Sequence, residues 1–417
     1  MGRKMAMGRQ SRSPLRWIVA ITFFGFLGLS MPYLIFPPLF LHPSSNLLPA
    51  ELPESSRALL LGLALAAYPL GQFIGSPLLG SLSDFYSRRK VMGASLFVSG
   101  SCNLVTAFSL LGGYIPLLLL SRFLAGLMEG NIAIARAMAF DLHPAVAKHE
   151  SFGKINAASS IAYLLGPSLG AFLTEEAICT AFGPSTPFFA TSLLFIVLAF
   201  CCRGLPEKSQ EATASALSIV DKWNLAKRIR AHLSDKLVGF LLLISSLFTL
   251  FVDLFYEFGP VYLTLEGQLT SVQLLPYSAL VSLALALGSG WLAAPVAQRW
   301  GAIPSISGSI ALFGGLMAIV GIIPVGNGML VLFGFMGIAI GIGTTNMAVQ
   351  LSDRADPAYQ GEIMGLQSSI RVLGDAFICL LGGLLLSLSA PFLLALAAPV
   401  CLAAAYAYQR RMVALRT

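Results

Sequence analysis

Several ionisable side chains sit in stretches of sequence too apolar to solvate them. Arg122, Glu129 and Arg136 are spaced by seven within the apolar run 114–138. If that run is one helix, all three fall in a narrow stripe of one face. Asp253 and Glu257 are four apart in a second run, and Arg371 and Asp375 are four apart in a third. Each pair therefore shares a helical face. A charge in hydrocarbon costs roughly 2.5–3.5 kcal/mol on insertion scales, so such groups turn toward one another or toward a wet cavity. Desolvation favours the neutral form of a carboxyl group and a nearby guanidinium favours the charged form. A site that alternates between those surroundings takes up and releases protons, which is the chemistry needed to couple a proton to solute movement. Counted from the inner ends of their runs at 1.5 Å per residue, Arg371 lies about 14 Å in and Asp253 about 24 Å in. Glu257 is then expected near the outer interface, and an Arg371–Asp375 bridge is the structural alternative.

Other chemistries find no support. The sequence lacks a phosphate-binding Gly-x-x-x-x-Gly-Lys-Ser/Thr loop, which argues against direct ATP drive. Four scattered histidines (His42, His143, His149, His232) and unclustered cysteines suggest no metal site. No cofactor and no hydrolytic or other enzymatic function is expected. Of the six cysteines, only Cys179 is expected outside the cytoplasm, so no structural disulfide is expected.

The elements that must position these groups are membrane helices. The 417 residues are 56% hydrophobic and 11% charged, with mean hydropathy +0.80, against about 25% charged in soluble domains. A bilayer-spanning helix needs about 20 mostly apolar residues. Twelve runs qualify: 16–40, 58–81, 91–111, 114–138, 151–173, 186–203, 237–262, 272–296, 303–324, 328–351, 362–386 and 389–408. The first is long for a signal peptide and lacks a small-residue cleavage site, so it reads as a retained span. Of 26 Lys and Arg, Arg57 falls in an outer loop and Arg122 and Arg371 fall inside spans; the remaining 23 all fall in segments on one side, at the inner ends of spans or in the loops and tails between them. The positive-inside rule then places both termini in the cytoplasm. The net charge of +7 reads as topogenic and lipid-facing, with anionic headgroups as partners, and not as a nucleic-acid-binding surface.

The chain divides into a tail (1–15), a six-helix bundle (16–203), a polar linker (204–236), a second bundle (237–408) and a short tail (409–417). The basic linker run from Asp221 to Arg230 fits an amphipathic helix on the inner leaflet or a plain solvated connection. The halves echo one another. Asp141-Leu-His-Pro144 before the fifth span matches Asp353-to-Pro357 before the eleventh, with Pro144 and Pro357 213 positions apart. Asp84 after the second span and Gln298 after the eighth occupy matching places 214 apart. An internal duplication places a substrate site between the halves near the bilayer midplane.

The loop after the second span reads Gly80-Ser-Leu-Ser-Asp84-Phe-Tyr-Ser-Arg88-Arg89-Lys90. It resembles the helix 2–3 loop of the major facilitator superfamily, Gly-x-x-x-Asp-Arg-x-Gly-Arg-Arg. Gly80, Asp84, Arg88 and Arg89 match, while Phe85 and Ser87 depart from it. Gly80 would permit close helix approach. The resemblance implies a cytoplasmic gate, with Asp84 near the start of the eleventh span and Arg88 paired with an acid such as Asp141. The fourth span, with Arg122, Gly126 and Gly130, is similar to the family's Arg-x-x-x-Gly-x-x-x-Gly element. In proton-coupled relatives that arginine works with an acid, often on the first span. Here the first span has none, and Glu129 is the nearest substitute. Gly166-Pro167-Ser-Leu-Gly170 in the fifth span looks like the Gly-Pro-x-x-Gly element of drug:proton antiporters. Pro167 would kink the helix, and the glycines would open a groove for a neighbour. Tyr33, Phe36, Tyr68, Phe255, Tyr256 and Phe258 are left unassigned.

The resemblance implies an all-α membrane protein of twelve helices in two pseudo-symmetric bundles. It implies a monomer in a plasma membrane (the inner membrane of a bacterium) that exports a small organic solute or drug in exchange for protons, as tetracycline and multidrug antiporters do. Import or uniport of a metabolite or metal-chelating compound is the alternative, followed by a membrane receptor that does not transport. Glu129, Asp253 and Asp375 are the expected proton carriers, tuned by Arg122 and Arg371.

Overall fold

The computed structural model describes residues 2–42, 45, 47–49, 51–130, 134, 135, 138, 148–175, 178–205, 236–354, 360–386 and 389–415. The regular secondary structure among these residues is all helical. Helix α1 (Gly2–Ser30) passes through a 3-10 turn (Met31–Leu34) into the short α2 (Phe36–Leu41). The single span expected over 16–40 is therefore broken. Pro32, Pro37 and Pro38 have no N–H to continue the ladder, and Ile35 closes the turn by donating to Pro32 O. Then come α3 (Glu54–Phe85), α4 (Arg88–Gly112), α5 (Ile115–Leu127), α6 (Lys148–Phe172) and α7 (Thr186–Cys201). Gly113 ends α4 with φ 69°, the left-handed cap that glycine adopts without steric cost.

After the linker, α8 (Lys236–Gly267) leads to α9 (Leu275–Leu287), which continues through a π-helical turn (Gly288–Leu292) into α10 (Ala293–Trp300). Gly301, at φ 91°, turns the chain into α11 (Ala302–Ile319). Helices α12 (Asn327–Arg354), α13 (Gln360–Leu385), α14 (Ala390–Ala395) and α15 (Ala397–Ala414) follow. Eight helices among the described residues are long and apolar enough to cross a membrane, and three shorter apolar segments (Pro14–Gly28, Ile115–Leu127, Ile161–Phe172) accompany them. Large apolar side chains such as Leu193, Phe377 and Trp291 stand exposed on helix flanks, 61–75% in the last two cases. Such surface is stable only against lipid or a partner, and the protein is a multi-pass membrane protein.

The chain groups into two units. One holds Met1–Phe36 and Ala67–Asn224, the other Pro37–Ala66 and Leu225–Thr417, so the boundary falls inside α3. In the first unit α4 packs on α7 and α1 on α6, around Ile18, Ile21, Met92, Leu96 and Phe195. In the second unit α9 packs on α12, α11 on α15 and α8 on α13. Gly337 and Gly341 of α12 lie against the backbone of Val281, Leu285 and Gly288, the small-residue crossing by which membrane helices gain van der Waals contact.

Arg57 departs from the expectation of an outer-loop cation. It lies in the first turns of α3, 7% exposed, and donates to the carbonyls of Leu52 (3.2 Å), Phe40 (3.5 Å) and Pro49 (2.7 Å). The charge fastens the connection between α2 and α3 where loop carbonyls lack helical partners.

Candidate functional site

In the first unit, the helix carrying Arg122 stops early. Instead of running to residue 138, α5 ends at Leu127, and Glu129 N–H turns back to Gly126 O at 2.8 Å. Gly126 lies directly against the backbone of Tyr68, and Gly130 against the Leu79 side chain. The seven-residue stripe is therefore interrupted: Glu129 lies beyond the helix, and Arg136 falls outside the described residues. Glu129 is nonetheless buried, 6% exposed. Tyr68 on α3 donates its hydroxyl to Glu129 Oε2 at 2.9 Å, and Ser76 Oγ donates to the Glu129 carbonyl at 2.5 Å.

Arg122 is buried among aromatic rings. Its guanidinium carbon lies 4.6 Å from the Tyr68 ring centre, 5.6 Å from Phe36 and 6.0 Å from Phe188. The Phe36 and Phe188 rings stack at 5.8 Å. A desolvated cation over aromatic faces gains about 2 kcal/mol. Tyr68 therefore touches both charged groups, one with its face and one with its hydroxyl. Sequence reasoning left Tyr68 and Phe36 unassigned and missed Phe188, because contacts between residues far apart in the chain leave no local periodic signal.

In the second unit Arg371 on α13 reaches across to α8. Its Nε is 2.9 Å from Asp253 Oδ2 and its Nη2 is 2.8 Å from Oδ1, a two-pronged ion pair. This replaces the Arg371–Asp375 bridge that i, i+4 spacing allows. Counting along separate spans put Arg371 and Asp253 about 10 Å apart in depth. The long arginine side chain and the earlier start of α13 at Gln360 close that gap.

Glu257 is buried, 7% exposed. Glu257, Asp375 and Cys379 each bring one ligating atom within 4.8 Å of the other two, so this cysteine is clustered after all. Cys379 Sγ stands 4.0 Å from Asp375 Oδ1. A second polar contact joins the same helices lower down, where Gln367 Nε2 donates to Ser245 Oγ.

The remaining motif residues divide. Gly166 and Gly170 of α6 pack against α1 and the turn after it, at Leu27, Ser30 and Met31. Ser30 Oγ donates to Ala162 O at 3.3 Å. The groove expected of this element is real and α1 fills it; Pro167 lies inside α6. Gly80 differs from its expectation, since among the described residues an added Cβ would meet nothing within 4 Å. Close approach occurs instead at Gly71 and Gly75, against Phe123 and Leu127 of α5. Asp84 lies near the end of α3 and Arg88 opens α4, half-buried. Arg89 Nη1 donates to Arg203 O at 3.2 Å and Leu205 O at 3.5 Å, tying the start of α4 to the end of α7. Asp141 falls outside the described residues.

Relatives extend over this architecture. The chain is 33% identical to the mouse Major facilitator superfamily domain-containing protein 10 over 172 residues, 41% of this chain and 35% of that protein. In that match it spans about a third of the relative's length. It is 23% identical to the class H tetracycline resistance protein of Pasteurella multocida over 327 residues, covering 76% of this chain and 77% of that one. The crystal structure of the human organic anion transporter MFSD10 superimposes with a TM-score of 0.63 at 21% identity, over 95% of this chain and 100% of that one. With the Major Facilitator Superfamily pattern matching residues 18–378, the chain belongs to that superfamily and has its transporter fold.

Proposed function

We propose that the protein is a proton-coupled exporter of a small organic solute, working by alternating access as an antiporter. The observation that carries this reading is the Asp253–Arg371 pair with Asp375 and Glu257 beside it. Carboxylates held at bilayer depth within reach of one guanidinium can exchange a proton for a countercharge whenever water access changes. Glu129, held through Tyr68 beneath Arg122, provides a second such group. Similarity to a tetracycline resistance protein supports export.

Asp253, Asp375 and Glu129 are the proposed proton carriers, and Arg371 and Arg122 adjust their affinity for protons. Gly80, Asp84, Arg88, Arg89 and Asp141 are proposed to form the cytoplasmic gate. The distribution of Lys and Arg supports both termini in the cytoplasm, and a plasma-membrane location is part of the same proposal.

The test is efflux driven by an imposed pH gradient in proteoliposomes, across a panel of apolar cations, tetracyclines and organic anions. Asp253→Asn, Asp375→Asn and Glu129→Gln are each expected to abolish gradient-driven accumulation, with solute exchange down its own gradient retained in at least one. Unchanged coupling in all three removes the assignment. Uphill movement in the opposite direction favours import.

A further inference from the structure

The acids of the second unit have a neighbour that proton exchange does not need. Cys379 lies one turn after Asp375 on α13, fully buried, and faces Glu257 of α8. Its sulfur stands 4.0 Å from Asp375 Oδ1. An apolar filler at this position would pack equally well, yet a thiol points into two carboxylates.

We propose that Glu257, Asp375 and Cys379 form a binding site for one divalent transition-metal ion of the zinc class. The donor set selects the class. Carboxylates alone suit Mg²⁺ or Ca²⁺, whereas a thiolate among them favours zinc and its softer neighbours. In tetrahedral coordination, bonds of about 2.0–2.3 Å put ligand atoms about 3.3–3.8 Å apart. The three donors lie within 4.8 Å of one another, so about 1 Å of side-chain rotation completes the geometry. Three protein ligands leave a fourth position open for water or for a chelating solute. On binding, the metal replaces the thiol proton, which leaves to solvent.

The site shares Asp375 with the proposed proton carriers but does not require transport. The test is therefore equilibrium binding. Full-length protein in lipid nanodiscs, kept reduced with a phosphine, is titrated with CoCl₂ and then with ZnCl₂. One equivalent of cobalt is expected to give a sulfur-to-metal charge-transfer band in the near ultraviolet, which zinc abolishes. Cys379→Ser should remove the band, and Asp375→Asn and Glu257→Gln should each weaken binding at least tenfold. A variant lacking Cys102, Cys179, Cys201, Cys202 and Cys401 should keep the band, which preserves the test if Cys379→Ser fails to fold. No band in the unmodified protein, a band that survives Cys379→Ser, or its loss in the five-cysteine variant overturns the proposal. Proton coupling lost in Asp375→Asn without any metal binding sinks this site alone; metal binding with coupling intact in all carboxylate variants sinks the proton reading alone.

Discussion

The two units bury charge by different means. In the first, Arg122 is covered by aromatic faces and communicates with Glu129 through Tyr68. In the second, Arg371 binds Asp253 directly, with Glu257, Asp375 and Cys379 alongside. The halves echo each other at an offset of 213 residues, yet the charges do not. At that offset Arg122 corresponds to Phe335 and Glu129 to Ile342, while Arg371 corresponds to Ala158 and Asp375 to Ala162. The halves thus share a loop pattern in sequence but not their buried polar residues. An ion pair with one buried partner, as Asp253 is here, depends on both partners being present. A cation on aromatic rings needs no specific anion.

That contrast can be broken at several points. The largest effect is expected from Arg371→Ala, which leaves Asp253 buried without its guanidinium. Asp253 is 5% exposed but Arg371 is 53% exposed, so loss of the guanidinium leaves one buried acceptor unsatisfied and costs about 1–3 kcal/mol, read as a fall in the unfolding midpoint, with solute flux lost. Asp253→Asn combined with Arg371→Gln should recover much of the stability but not the flux; a double variant no more stable than the single one contradicts the pairing. Next is Gly126→Val, which forces methyl groups into the Tyr68 backbone. Overpacking of this kind costs about 1–3 kcal/mol, visible as reduced thermal stability in detergent. Tyr68→Phe keeps the ring under Arg122 but strands Glu129, for a loss of about 1–3 kcal/mol. Tyr68→Leu should cost more by the cation–π contribution, about 0.5–2 kcal/mol. Equal losses in the two variants would show that the ring face contributes nothing. The smallest effect belongs to Gly80→Ala, within about 0.5 kcal/mol, because among the described residues nothing lies within 4 Å of an added Cβ. Gly75→Ala, against the Leu127 carbonyl, should be clearly worse.

The membrane helices were legible because each needs only a long apolar run, and the family resemblance rested on local spacing in the loop from Gly80 to Arg89. Local spacing failed where the partner came from elsewhere in the chain. Arg371 and Asp375 share a helical face, but the arginine pairs 118 residues away with Asp253. Heptad spacing suggested a continuous helix through Glu129, and close packing of Gly126 on the Tyr68 backbone accompanies its end at Leu127. Cys379 counted among the unclustered cysteines because its neighbour Glu257 lies on another helix. Arg57 illustrates the same limit, since a charge counted toward topology is spent on loop carbonyls.

Where α3 crosses α13, Gly62 faces Gly383, and a Cβ on Gly62 would stand 2.7 Å from both the Gly383 Cα and the Cys379 carbonyl oxygen. Most tight contacts in proteins can absorb a larger residue on one side through a smaller one on the other. This one has no such reserve, because neither position can shrink. Second-site suppressors of a bulky residue at 62 must therefore lie elsewhere and act by shifting a whole helix, which makes this crossing a natural starting point for selecting variants that alter how the two helices part.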